Sequence, residues 1–180
     1  MMTSYYESGL KISLPSDEHF RFQDCKAYKP LSGQNLKEMD FGWWQAEKNT
    51  LCLIEIKDYT HLTPTERLPA HLLNTFINKA TDSLLMLATM WAKIGKGFEL
   101  SSCLPLPVQQ FPSHSPEKLR LKLFFILKID KVIFRSQLGI LKDELNDRLR
   151  GRVALFNVRH VSLLDHLTVI NNNLLPIQEN

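Results

Sequence analysis

Residues 39–58 read MDFGWWQAEKNTLCLIEIKD, and this stretch decides the fold. Residues 39–46 are rich in aromatic side chains, and residues 51–57 carry an apolar side chain at every second position. Both patterns are typical of β-strands, and the polar residues 47–50 between them are typical of a turn. The stretch therefore predicts a β-hairpin.

The geometry of this hairpin places three charged side chains on one face. A turn centred in the middle of residues 47–50 sets Asp40 opposite Lys57 and Gly42 opposite Glu55. Because side chains alternate between faces, Asp40, Glu55 and Lys57 share a face, with opposed Cβ atoms roughly 5 Å apart. Gly42 leaves space beside Glu55. The apolar side chains point the other way into a core, namely Phe41, Trp43, Cys52, Ile54 and Ile56.

Two carboxylates with space between them predict a site for a hard divalent cation such as Mg²⁺, which binds few carboxylates and keeps waters. Lys57 beside them could orient or activate such a water, or stabilise charge on a phosphate. The alternative is a structural cross-strand ion pair, since short patterns of this kind recur by chance. Glu55 and Lys57 interrupt an otherwise apolar strand, which favours a site. Both interpretations stay open at this point.

Asp40 and, after a gap of fourteen residues, Glu55-Ile56-Lys57 resemble the Asp…(Asp/Glu)-x-Lys signature of the PD-(D/E)XK nuclease superfamily. Met39 stands where the name of the signature has a proline. The predicted order of hairpin, long helix, strand, helix and strand also resembles the core of that family, over roughly residues 36–164. The resemblance implies an α/β fold with a mixed sheet, a restriction-endonuclease-like core in which helices flank a central β-hairpin.

The resemblance also implies a function, which is metal-dependent hydrolysis of phosphodiester bonds in nucleic acid, with DNA favoured over RNA. Asp40 and Glu55, together with the carbonyl group of Ile56, would hold Mg²⁺ or Mn²⁺. Lys57 would position or deprotonate the attacking water. The alternative is a non-catalytic interaction protein that retains the nuclease-like fold.

In that family an acidic residue ahead of the hairpin often completes the site. Asp17 and Glu18 are the nearest candidates in this chain. A site whose three side chains converge on an open cleft would favour the nuclease, and a covered one would favour the interaction protein.

Outside the hairpin, periodicity and breakers predict the remaining elements. The predicted elements are an irregular lead-in over 1–17, a strand in 19–31, a helix over 69–94, a long connection over 95–117, a strand over 119–129, a helix over 134–150, an edge strand over 153–165 and a frayed tail. Asn74, Asn78 and Lys79 on the first helix could face the site, although polar helix residues are usually solvated.

Length and composition indicate one domain spanning residues 1–180, with a core over about 19–165. The net charge of +3 is too weak to identify nucleic acid as a partner by itself. The three cysteines, Cys25, Cys52 and Cys103, are widely spaced and fit neither a disulfide framework nor a zinc motif. Together with the lack of a secretory-type start or an apolar span, they lead us to expect a cytoplasmic protein that is not embedded in a membrane.

The last third of the chain carries a basic cluster that could follow a phosphate backbone, formed by Arg148, Arg150, Arg152 and Arg159. Acidic residues share the predicted helix, which is also typical of an ordinary solvated face. We find no Gly-rich phosphate loop, nucleophile elbow or metalloprotease histidine pair. No motif for substrate recognition is evident either, so a homodimer or a partner protein could supply it.

Overall fold

The structure is a computed structural model that describes residues 1–114 and 120–179. Over these residues the chain forms two β-sheets and six α-helices, in agreement with the predicted mixed α/β class. The strands are β1 (Met2–Glu7), β2 (Leu10–Pro15), β3 (His19–Phe20), β4 (Phe41–Gln45), β5 (Thr50–Asp58), β6 (Arg120–Lys128), β7 (Ser162–Asp165) and β8 (Ile177–Glu179). The α-helices are α1 (Lys29–Ser32), α2 (Leu72–Trp91), α3 (Gly95–Ser101), α4 (Leu106–His114), α5 (Arg135–Ala154) and α6 (His166–Asn171).

Five strands form the central sheet, in the order β3-β4-β5-β6-β7. The first three are antiparallel neighbours, whereas β5, β6 and β7 run parallel to one another. Parallel neighbours need a crossover connection, and α2 and α5 lie in the two crossovers. The predicted hairpin, long helix, strand, helix and strand follow one another in this order, with α3 and α4 added between α2 and β6.

Both faces of the central sheet are buried. On one face, Leu53 and Phe125 pack with α2 and α5 in the larger hydrophobic core. On the other face, Phe41 and Ile54 pack with β2, α6 and β8 in a second core. The predicted inward set of the hairpin lies in or against this second core, with Trp43 partly buried at its edge. Glu55 consequently lies on the face that α2 covers.

The N-terminal segment is not an irregular lead-in, and the C-terminal tail is not frayed. Strands β1, β2 and β8 form a separate three-stranded antiparallel sheet. Leu10, Ile12 and Leu14 are fully buried in the second core, so burial of this apolar side stabilises the sheet. Ser8 and Gly9 both have positive φ angles, which suit the tight turn between β1 and β2.

The predicted register of the hairpin is wrong by two residues. Gly42 pairs with Leu53, not with Glu55, and Phe41 pairs with Ile54. The cause is the turn, which is a short 3₁₀ helix over Ala46–Lys48 closed by Asn49 in the left-handed conformation. A slip of two residues leaves every side chain on its predicted face, since the pleat repeats every two residues.

Gly42 does not leave space beside Glu55 either. A Cβ atom at this position would lie 2.1 Å from the ring of Phe20 on the neighbouring strand β3. The glycine therefore allows an aromatic ring of the core to approach the backbone of β4.

Several element boundaries differ from the predictions. Helix α2 ends at Trp91 because Lys93 adopts the left-handed conformation, and Ile94 N donates to Thr89 O in a Schellman motif. The predicted long connection after it contains α3 and α4, although its residues 115–117 lie outside the described residues. Helix α5 extends beyond residue 150, so the predicted edge strand is only β7. Within residues 1–114 and 120–179, no helix is long and apolar enough to cross a membrane.

Cys25 and Cys103 form a disulfide, contrary to the prediction from cysteine spacing. Their separation of 78 residues gives no local signal, yet the fold brings the two Cα atoms within 5.6 Å. Cys52 is free and buried, and burial raises the pKa of its thiol to about 12. The disulfide removes the premise on which a reducing compartment was inferred.

Candidate functional site

The predicted site residues converge where β4 begins and β5 continues past it. Asp40 directly precedes β4, and the observed register places it beside Glu55 on β5. Lys57 Nζ lies 2.8 Å from Glu55 Oε1. Lys79 of α2 joins them, because its Nζ lies 3.2 Å from Asp40 Oδ1 and 2.7 Å from Glu55 Oε1. Lys79 therefore faces the site and is not simply a solvated helix residue.

Asp40 also replaces a missing strand partner. Strand β4 begins only at Phe41, so the amide of Ile56 on β5 has no backbone partner on that side. The Oδ2 atom of Asp40 accepts a hydrogen bond of 2.8 Å from Ile56 N. One oxygen of the carboxylate is thus bound to β5 and the other faces Lys79. The orientation of Asp40 follows from the end of the strand pairing.

Helix α2 holds the residues that lead into the site. Ser83 Oγ accepts a hydrogen bond of 2.9 Å from Met39 N, and an Asp82 carboxylate oxygen accepts one of 2.9 Å from Lys37 N. These side chains lie three and four residues after Lys79, on the same side of the helix. The helix therefore determines where Asp40 lies relative to the ammonium group of Lys79.

Glu55 is fully buried, and its environment changes its proton affinity. Burial, and then the charge of Asp40, raise the pKa of Glu55 to about 7, although Lys79 and Lys57 act in the opposite direction. Burial would lower the pKa of Lys57, but the negative charges of Glu55 and Asp40 outweigh burial and raise it. Lys57 is therefore protonated at neutral pH.

Glu7 is a third acidic residue whose charge interacts with the site, and the sequence did not indicate it. Its pKa is raised by burial and then by the charge of Asp40, whereas Arg21, Lys57 and Lys79 lower it. It reaches this position because the β1–β2 turn lies on β5, where Ser8 Oγ donates a 3.1 Å hydrogen bond to Ile56 O. The signal was available in part, since apolar residues alternate in the β2 sequence that follows the turn.

Arg21 pairs with this acid from the neighbouring segment. Its Nη2 atom lies 3.4 Å from Glu7 Oε2, and its guanidinium group stacks over the rings of Tyr5 and Phe41. The two acids considered from sequence lie elsewhere. Asp17 and Glu18 are in the turn between β2 and β3, where Glu18 O accepts a hydrogen bond from Trp44 N.

The cation that the predicted ligands bind in this structure, the ammonium group of Lys79, indicates whether they could also bind a metal ion. One ammonium nitrogen contacts both Asp40 and Glu55, so the two carboxylates are close enough to share a single cation. Carboxylate and carbonyl oxygens are the donors that Mg²⁺ and Mn²⁺ prefer, and Mg²⁺ is often bound by one or two carboxylates. The donors fit such an ion if the Lys79 ammonium moves aside.

The carbonyl of Ile56 is the third predicted donor, and it accepts the hydrogen bond from Ser8 Oγ. Among the residues described, no group of three or more His, Cys, Asp or Glu side chains is arranged to hold a metal ion. The predicted ligand set has two such side chains, those of Asp40 and Glu55, and its third donor is a backbone carbonyl.

The four arginines of the predicted basic cluster are exposed, and the first three lie on α5. Arg148 Nη1 donates a 3.0 Å hydrogen bond to Asn74 Oδ1 of α2, and Arg152 Nη1 donates to Arg148 O within α5. Arg150 forms an exposed ion pair of 3.2 Å with Asp147. Arg159 lies between α5 and β7.

Comparison with known proteins does not identify this chain. No protein-family model, no curated protein and no solved structure matches it. The resemblance to the PD-(D/E)XK superfamily therefore stays a prediction that rests on the residues described above.

Proposed function

We propose that this protein is a metal-dependent nuclease that hydrolyses phosphodiester bonds of DNA or RNA. The observation that carries the proposal is the shared cation contact of Asp40 and Glu55, with Lys57 2.8 Å from Glu55. A bound metal can polarise a phosphoryl oxygen and generate a nucleophile from water, and two carboxylates within reach of one cation could hold such a metal beside Lys57. The order of β4, β5, α2 and β6 supports the same family resemblance.

Each residue then has a distinct role. Asp40, Glu55 and the Ile56 carbonyl would hold Mg²⁺ or Mn²⁺, which when bound supplies a Lewis acid and lowers the pKa of a bound water. Lys57 is protonated at neutral pH, so it would position the water and stabilise negative charge on the phosphate rather than accept a proton. The hydrogen bond from Ile56 N keeps the Asp40 carboxylate oriented.

We expect Mn²⁺ binding to depend on both carboxylates. Asp40→Ala and Glu55→Ala should each weaken binding at least about 100-fold, because even outer-shell partners of metal ligands contribute 10–100-fold. Isothermal titration calorimetry of each variant measures this effect, and Asp143→Ala on the exposed face of α5 is the matched control. Circular dichroism establishes that each variant is folded.

Nuclease assays on DNA and RNA substrates follow if the wild type binds the metal. Absence of Mn²⁺ and Mg²⁺ binding by folded wild-type protein, both with and without nucleic acid, would contradict the proposal.

A second candidate is a non-catalytic interaction protein that retains the fold. The observation in its favour is the position of Lys79, whose ammonium group already neutralises the two carboxylates. With Lys57 and with the Glu7–Arg21 pair, three basic groups balance three acidic ones without a metal. In this case the cluster is structural, and metal binding is absent in every variant.

We expect the basic cluster to affect nucleic-acid binding through phosphate contacts alone. Changing Arg150, Arg152 and Arg159 together to Ala should weaken binding to all sequences alike and lower the slope of log K against log salt by up to about 3. Arg148 is left intact because it bonds to α2. Fluorescence anisotropy over a range of salt concentrations measures the slope, and an unchanged slope would exclude these arginines from the interface.

Recognition of a substrate by a homodimer or through a partner protein stays a prediction. So does a cytoplasmic location, and the Cys25–Cys103 disulfide weighs against it, since such bonds are rare in reducing compartments.

A further inference from the structure

The cation that lies between the carboxylates of Asp40 and Glu55 is a side chain of the protein itself. Lys79 Nζ lies 2.7 and 2.8 Å from the two oxygens of Glu55 and 3.2 Å from Asp40 Oδ1. A divalent metal bound by the same two carboxylates would lie within a few ångströms of this nitrogen. Like charges at that separation repel strongly in a partly buried site. The ammonium group and the metal therefore exclude each other.

The side chain of Lys79 can resolve this conflict although its helix is held in place. The hydrogen bonds from Met39 N to Ser83 and from Lys37 N to Asp82 tie α2 to the segment that carries Asp40. The side chain of Lys79 is 16% exposed, so part of it borders solvent. Because a lysine has a flexible four-carbon stem and a strongly hydrated head, the ammonium group can move away from the carboxylates towards that solvent.

We propose that Lys79 is a built-in competitor of the divalent cation: its ammonium group holds Asp40 and Glu55 when no metal is bound, and withdraws when a metal binds. This inference rests on the proposed metal site and adds that Lys79 lowers the affinity of that site. The site stays assembled without metal, and it binds metal only at concentrations that overcome the ion pairs of Lys79.

The test measures Mn²⁺ affinity by calorimetry in wild type, Lys79→Met, Lys79→Arg and Lys128→Met. Methionine keeps the length and the apolar stem but removes the charge, so Lys79→Met should bind Mn²⁺ at least about tenfold more tightly than wild type. Lys79→Arg keeps the charge and should gain no affinity. Lys128 also forms a partly buried ion pair, with Asp58, and its variant should bind as wild type does.

A second measurement uses the wild-type protein and does not depend on the folding of any variant. Acetylation of lysines, followed by mass spectrometry, should label Lys79 several-fold faster at saturating Mn²⁺ than in chelator, while the labelling of Lys128 stays the same. Slower or equal labelling of Lys79 in the presence of Mn²⁺ would overturn the inference.

Failure of the inference is distinguishable from failure of the proposed function. If wild type binds Mn²⁺ through Asp40 and Glu55 but Lys79→Met binds no more tightly, the competition is overturned and the metal site stands. If neither wild type nor folded Lys79→Met binds Mn²⁺, both proposals fail. Binding by Lys79→Met alone would contradict the proposed function and overturn the inference that Lys79 withdraws when a metal binds.

Discussion

The free energy of unfolding of the metal-free protein is expected to fall by roughly 3 kcal/mol as the pH rises from about 5 to 8, because of Glu55 alone. Burial and the charge of Asp40 raise the pKa of this carboxyl group from 4.5 to about 7 in the folded protein. Between these values the folded protein keeps a proton that the unfolded chain loses. The stabilisation is therefore complete below the unfolded pKa and is lost as the pH rises through the folded pKa.

Urea denaturation in the presence of EDTA at several pH values measures this dependence. Glu55→Gln removes the titrating group and should flatten the curve. Glu47→Gln is the matched control, since Glu47 is exposed in the hairpin turn. The same pH slope in wild type and Glu55→Gln would show that Glu55 titrates normally.

Loss of the disulfide is the second large effect that we expect. The bond between Cys25 and Cys103 closes a loop of 78 residues, and a loop of this size implies a loss of about 4 kcal/mol in the free energy of unfolding on reduction. It joins the segment between β3 and α1 to the connection after α3. Both cysteines line a cavity of about 510 Å³, although Cys25 itself is buried.

Urea denaturation with and without a phosphine reductant measures the loss. Cys25→Ser should be as unstable without reductant as wild type is with it. Cys52→Ala is the control, because Cys52 is free and its removal should leave the sensitivity to reductant unchanged. Titration of the denatured, unreduced wild type should find one free thiol, and finding three would show that the bond is absent.

The elements that the sequence predicted best are those with a local pattern. Strand β6 follows from a continuous apolar run, and α5 from its leucine stripe, of which Leu141, Leu145 and Leu149 are buried. Side-chain periodicity is a property of neighbouring residues, so it can be detected without knowledge of the fold. The ends of the elements were less accurate because caps such as the one at Lys93 depend on single backbone conformations.

The candidate site was predicted in part for the same reason. The shared face of Asp40, Glu55 and Lys57 survives a register error of two residues because the pleat has a period of two. The size of the error came from the turn, whose 3₁₀ geometry and left-handed Asn49 have no strong signature in the polar sequence. The sheet face on which each side chain lies was therefore predictable, whereas the residue directly opposite it on the partner strand was not.

By itself, the sequence of this protein determined the mixed α/β class, the order of its main strands and helices, and the face on which Asp40, Glu55 and Lys57 lie. Only the tertiary structure brought Lys79 and Glu7 to those residues, joined Cys25 to Cys103, and paired β8 with β2. The physical reason is the range of the interactions. Periodicity acts between neighbouring residues, whereas these contacts join distant segments that meet only after the sheets and α2 have packed.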